Sequence, residues 1–136
     1  MVTIALYNLK GGVGKTAATI NLAYLSAKQG YKTLIWDLDP QGSSSFYLGA
    51  TANIKNEAKK ILTGEMDLAT AIQPSAYENL DIIPADLSAR HADILLNEMK
   101  QSKKKISAIL STIKNEYDIV FLFFPPGISF FHVAVF

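Results

Sequence analysis

At 136 residues, 49% of them apolar, the chain is long enough for one hydrophobic core and too apolar to stay disordered. A formal net charge of +1 gives no global pull toward nucleic acid or an anionic membrane. The lack of cysteine excludes disulfides and thiolate metal sites and fits a reducing cytosol.

Val2 to Tyr7 is a short, partly β-branched apolar run that ends at a glycine-rich turn. It lacks a basic leader, so it predicts a buried strand and not a secretory signal. Lys15 to Gln29 has helical composition, with Ile20, Leu22, Ala23 and Ala27 available for burial, and Gly30 supplies a stop. Thr33 to Trp36 reads as a second strand running into Asp37, and the DPQGSSS that follows Leu38 reads as a loop. Ile54 to Thr63 predicts a short helix stopped by Gly64, and Leu80 to Ile83 a third strand closed by Pro84. Asp86 is placed to cap a helix from Leu87 to about Lys100. Ile106, Ile109, Leu110 and Ile113 fall at i, i+3, i+4 and i+7, one apolar helix face. Ile119 to Phe124 is apolar throughout, as a strand covered on both sides should be.

From Ile119 to Phe136 there is no Asp, Glu, Lys or Arg. That approaches the ~20 apolar residues of a membrane helix, but Pro125, Pro126 and Gly127 interrupt it. The expectation is a strand, a turn and an apolar tail, with no membrane span. Strands alternating with helices imply an α/β fold with a mostly parallel sheet flanked by helices. No repeat or linker divides the chain, so residues 1–136 are expected to be one domain.

The stretch Lys10-Gly11-Gly12-Val13-Gly14-Lys15-Thr16 lies between the first strand and the first helix. Glycines let the backbone turn successive N–H groups inward around phosphate oxygens, and the helix adds its positive end. Lys15 brings a charge to the outer phosphates, the Thr16 hydroxyl can bind Mg²⁺, and Ala17 continues the turn. The stretch departs from the strict GxxxxGK[ST] spacing by placing Lys10 ahead of its first glycine. Asp37 and Asp39, two apart at a strand end, should point to one side at the carboxyl edge of the sheet, where ligands bind in open α/β folds.

NLKGGVGKT resembles the deviant Walker A motif of the ParA/MinD family of P-loop ATPases. WDLDPQG (Trp36 to Gly42) resembles the family's second motif, YDIVFLFFPPG (Tyr117 to Gly127) its third, and PADLSAR (Pro84 to Arg90) its segment after the third strand. The match is strongest to the partitioning branch. The resemblance implies a three-layer P-loop NTPase fold, here C-terminally incomplete, because family members continue for about another hundred residues. That would leave the edge of the first strand open. It also implies an ATP/ADP and Mg²⁺ cofactor, a cytoplasmic location and an ATP-dependent homodimer in which Lys10 crosses to the partner's nucleotide. A ParB-like activator is implied as well, and DNA binding through a surface mostly beyond this stretch.

In that scheme Lys10, Lys15 and Asp39 are catalytic, with Asp39 aligning the attacking water. Lys10, Gly11, Gly12, Val13, Gly14, Lys15, Thr16 and Ala17 hold the nucleotide, Thr16 and Asp37 serve the metal, and Gly42 with the following serines forms a switch segment. The family pattern puts a Walker B aspartate where this chain has Phe123. Removing such a metal-shell partner typically costs about 10–100-fold in metal affinity or activity, so hydrolysis is expected to suffer more than binding.

Three rival readings follow. One is a non-enzymatic relative that works by association; a second is an ATP-dependent amide-forming enzyme of the cobyrinic acid synthase type, against which the DPQG stretch argues. The third, a non-functional remnant, would show no nucleotide effect on melting. Lys100, Lys103, Lys104 and Lys105 read as a solvated helix end that could touch DNA phosphates, His91 and His132 as structural, and Trp36 as core.

Overall fold

The computed structural model describes residues 1–7, 13–39, 42–86, 88 and 102–124. Strands β1 (Val2–Tyr7), β2 (Thr33–Asp37), β3 (Gln73–Pro74), β4 (Leu80–Ile83) and β5 (Ile119–Phe124) form one sheet in the order β1-β5-β2-β4-β3. All pairs are parallel except β3 with β4. The two-residue β3 is an addition that the sequence did not suggest; Pro74 suits it to an edge, where a missing donor does no harm. Among the described residues β1 pairs only with β5.

β5 sits between β1 and β2, and its unbroken apolar sequence serves two cores. Val120, Leu122 and Phe124 join Ala5, Leu34 and Trp36 on one face. Phe121 and Phe123 join Ile35 and Ile82 on the other. Helix α1 (Val13–Lys28) covers the second face with Ala23 and Ala27. Its C-terminus closes on Gly30 at φ 96°, with Gly30 N–H donating to the Ala27 carbonyl and Tyr31 N–H to the Ser26 carbonyl. A residue with a Cβ is strained at that φ, which is why glycine stops this helix. Leu22, expected in the core, is instead 55% exposed.

The first face is covered by α3 (Glu57–Leu62) and α4 (Ser102–Ser111), through Ala58, Ile61, Leu62, Ile106 and Leu110, with Ile113 just past the helix. The helix expected from Ile54 starts three residues later, because Asn56 enters it in the left-handed conformation at φ 58°. The predicted loop after Leu38 contains a short helix, α2 (Ser43–Tyr47). The helix expected from Leu87 to Lys100 lies outside the described residues except for Ser88. Trp36 is core, at 1% exposure. No helix among the described residues is long and apolar enough to cross a membrane.

Candidate functional site

β1, β5 and β2 run parallel, so their carboxyl ends meet at one edge of the sheet. α1 begins beside that edge, with Val13, Gly14, Lys15 and Thr16 in its first turn and no acidic residue there to compete with an anion. Ala17 is half-buried on the same helix. Lys10, Gly11 and Gly12 lie outside the described residues.

At the end of β2, Asp37 is 1% exposed and hydrogen-bonded at both carboxylate oxygens. Its Oδ2 accepts from Ser44 Oγ at 2.5 Å, Ser45 Oγ at 2.8 Å and Ser45 N–H at 3.1 Å. Its Oδ1 accepts from Asp39 N–H at 3.1 Å. Burial pushes the Asp37 carboxyl up, and these donors pull it only partly back. Leu38 packs in the core with Leu34 and Trp36, so strand alternation continues past β2 and places Asp37 and Asp39 on the opposite side. The chain then turns: Gly42, at φ 64°, donates its N–H to the Asp39 carbonyl at 2.8 Å and starts α2. The serines expected to form a switch segment thus anchor on Asp37. Ser44 and Ser45 were not singled out individually in the sequence; the only signal was a run of hydroxyls a few residues after a strand-end acid.

The register across the sheet puts Leu6, Phe123 and Asp37 side by side on β1, β5 and β2. Phe123 is 9% exposed and packs with the α1-side core. The position where the resemblance expects a carboxylate is therefore an apolar wall next to Asp37. Among the described residues no group of three or more His, Cys, Asp or Glu side chains could hold a metal ion. The donor set still suits a metal that arrives bound to phosphates. Among the described residues Asp37 Oδ2 accepts three hydrogen bonds and Oδ1 one, which leaves Oδ1 the one with room for a metal-bound water.

Behind this edge, Asp86 has two roles. Its Oδ1 accepts Ser88 N–H at 2.8 Å, as a cap for the following segment would. Its Oδ2 accepts Ala58 N–H at 3.1 Å, which satisfies a donor in the first turn of α3 that Asn56 leaves uncapped. Beside it Glu57 is 2% exposed, and its Oε2 has no hydrogen-bond partner among the described residues. Burial and then the Asp86 charge push the Glu57 carboxyl up. Folding therefore takes up a proton here, and stability falls as pH rises from the ordinary value of 4.5 through the raised one. Glu57→Gln is expected to melt a few degrees above the parent at pH 7, since the amide brings no charge to be buried beside Asp86, and to match it near pH 4, where the parent carboxyl is neutral. Thermal melts across that range check this; a variant less stable at pH 7 would show that the charge is wanted.

The family model described as an AAA domain matches residues 1–136. A chromosome-partitioning ATPase, Soj, from Treponema pallidum is 32% identical over 127 residues, which cover 93% of this chain and 49% of that protein. The ATP complex of a McdA variant from Cyanothece superposes with a TM-score of 0.79 at 25% identity, covering 91% of this chain and 48% of that one. Cobyrinic acid a,c-diamide synthase from Mycobacterium smegmatis, with bound ADP and magnesium, gives a TM-score of 0.79 at 26% identity and covers 92% and 51%. The chain spans about half the length of the relatives it matches. The chain belongs to the AAA domain family, in its ParA-like P-loop ATPase group.

Proposed function

We propose that this chain is the nucleotide-binding part of a ParA-like partitioning ATPase and takes ATP or ADP with Mg²⁺ at the carboxyl edge of the β1-β5-β2 sheet. The observation that carries the reading is the junction at that edge. Strand β1 is followed by a helix whose first turn contains Lys15 and Thr16, and β2, in the same parallel sheet, ends at Asp37, which holds Asp39 N–H. The backbone of residues 10–17 would cradle the phosphates, and Lys15 would neutralise their charge. Thr16 and, through water, Asp37 would hold the metal. Magnesium would supply charge neutralisation between the phosphates.

In this reading Asp39 orients the attacking water. Lys10 reaches the nucleotide of a second copy, so ATP assembles a cytoplasmic homodimer. A ParB-like activator and DNA belong to the same scheme. The names of the relatives support partitioning over amide formation, although a diamide synthase shares the fold. Phe123 favours a second version in which nucleotide is bound and hydrolysed slowly or not at all, and the protein works by association.

The test is the melting temperature with and without ATP–Mg²⁺. At a hundred times its dissociation constant a ligand adds about 2.7 kcal/mol, so a rise of several degrees is expected, and Lys15→Ala should abolish it. No rise, or one that survives Lys15→Ala, would overturn the assignment.

A further inference from the structure

Asp37 is one end of a longer run of hydrogen bonds. Ser45 Oγ donates to Asp37 Oδ2 at 2.8 Å and accepts Ala85 N–H at 2.9 Å. Ala85 follows β4 and precedes Asp86, which holds Ala58 N–H, while Ser88 Oγ accepts Lys59 N–H at 3.3 Å. Among the described residues, the Ser45 hydroxyl thus links the Asp37–Asp39 turn and α2 to Ala85 after β4, and Asp86 and Ser88 carry the run on to the first turn of α3. Ser45 is 6% exposed, so water cannot readily take over either bond. The segment after β4 also has space beside it. A cavity of about 460 Å³ is lined by Thr51, Asn53, Asn56, Ala85, Asp86 and Ser88. A tightly packed segment would resist a shift; one that walls a cavity can move without opening the core.

We propose that Ser45 is a positioning residue that couples the Asp37–Asp39 turn to Ala85, Asp86 and Ser88, so that nucleotide at the sheet edge is felt at the start of α3. This rests on the nucleotide reading above. The mechanism is local. Phosphate or metal contacts that reorient Asp37 change the bonds it accepts from both the hydroxyl and the N–H of Ser45. Because the same hydroxyl accepts Ala85 N–H, the change is passed on to Asp86, whose carboxylate caps α3. Ser44 bonds only Asp37 among the partners described, so it steadies the turn without carrying the relay.

The experiment is amide hydrogen exchange on the whole chain with and without ATP–Mg²⁺, beside melting curves, for the parent, Ser45→Ala, Ser45→Thr and Ser44→Ala. In the parent, ATP is expected to slow exchange at Leu38–Ser45 and at Ala85–Ser88 by about threefold or more. Ser45→Ala should keep the ATP-induced rise in melting temperature and the slowing at Leu38–Ser45 but lose it at Ala85–Ser88. Ser45→Thr, which keeps Oγ, should restore it, and Ser44→Ala should retain it.

The coupling is overturned if Ser45→Ala keeps the ATP effect at Ala85–Ser88. It is equally overturned if the parent melts higher with ATP yet shows no exchange change there, a result that needs no variant to fold. If ATP leaves the parent's melting temperature unmoved, the nucleotide reading falls first and the coupling with it.

Discussion

Phe123→Asp is expected to lower the stability of the nucleotide-free protein by at least about 3 kcal/mol and to raise ATP turnover. Phe123 is buried in the α1-side core, where Phe→Ala changes cost about 3–5 kcal/mol. The new carboxylate would also stand beside Asp37, its register neighbour, in a site where burial already pushes the Asp37 carboxyl up. Two like charges in one buried site raise each other's pKa and destabilise the fold. A metal–nucleotide complex relieves that repulsion, so ATP–Mg²⁺ should stabilise the variant more than the parent, and ATP without metal should not. Melting curves of parent and variant without nucleotide, with ATP–Mg²⁺ and with ATP alone, with phosphate release measured in parallel, check each part. A parent without turnover and a variant that gains it support the non-hydrolysing version of the function. Equal turnover in both would show that position 123 does not decide hydrolysis and would remove the main support for that version.

Much of the architecture was legible in the residues because it rests on local periodicity and stop signals. The four long strands were read within a residue of their bounds, as was the buried face of α4, since unbroken apolar runs and an i, i+3, i+4 pattern leave few alternatives. What escaped was set by tertiary contacts. α2 forms because Ser44 and Ser45 close onto an aspartate seven and eight residues before them. α3 starts late because its cap comes from Asp86, 28 residues on. β3 is two residues of pairing with no strand composition of its own.

The site was legible in a different sense. The motif stretches named Asp37, Asp39 and the odd residue Phe123, but nothing in a linear reading says that Phe123 and Asp37 are neighbours. That comes from the strand order, in which β5 inserts between β1 and β2. Nor could the sequence say that Asp37 spends one of its oxygens on three donors. A strand-end aspartate in a phosphate-site motif invites a metal role, and the serines show that it has a structural one as well.

That structural role predicts a large effect. Asp37→Ala is expected to cost about 3–5 kcal/mol, the usual penalty for removing one member of a buried charged network. The deletion strands the Ser44 and Ser45 hydroxyls and the N–H groups of Ser45 and Asp39, and a buried donor without an acceptor costs about 1–3 kcal/mol. The total is less than the sum, because the variant also escapes the cost of holding a charge at 1% exposure and because the two hydroxyls can rotate to other acceptors. Asp37→Asn separates these contributions. It keeps the shape and one acceptor oxygen, but whichever way the amide turns, its NH₂ faces a backbone N–H, that of Ser45 or of Asp39. Its cost should be about 1–3 kcal/mol, that of one buried donor left without an acceptor. Urea or thermal unfolding without nucleotide measures both. An alanine variant that melts with the parent would mean that α2 does not need Asp37 and that the hydrogen-bonded junction through Ser45 is not what holds the turn. An asparagine variant as damaged as alanine would mean that the charge itself, and not the count of acceptors, organises this edge of the sheet.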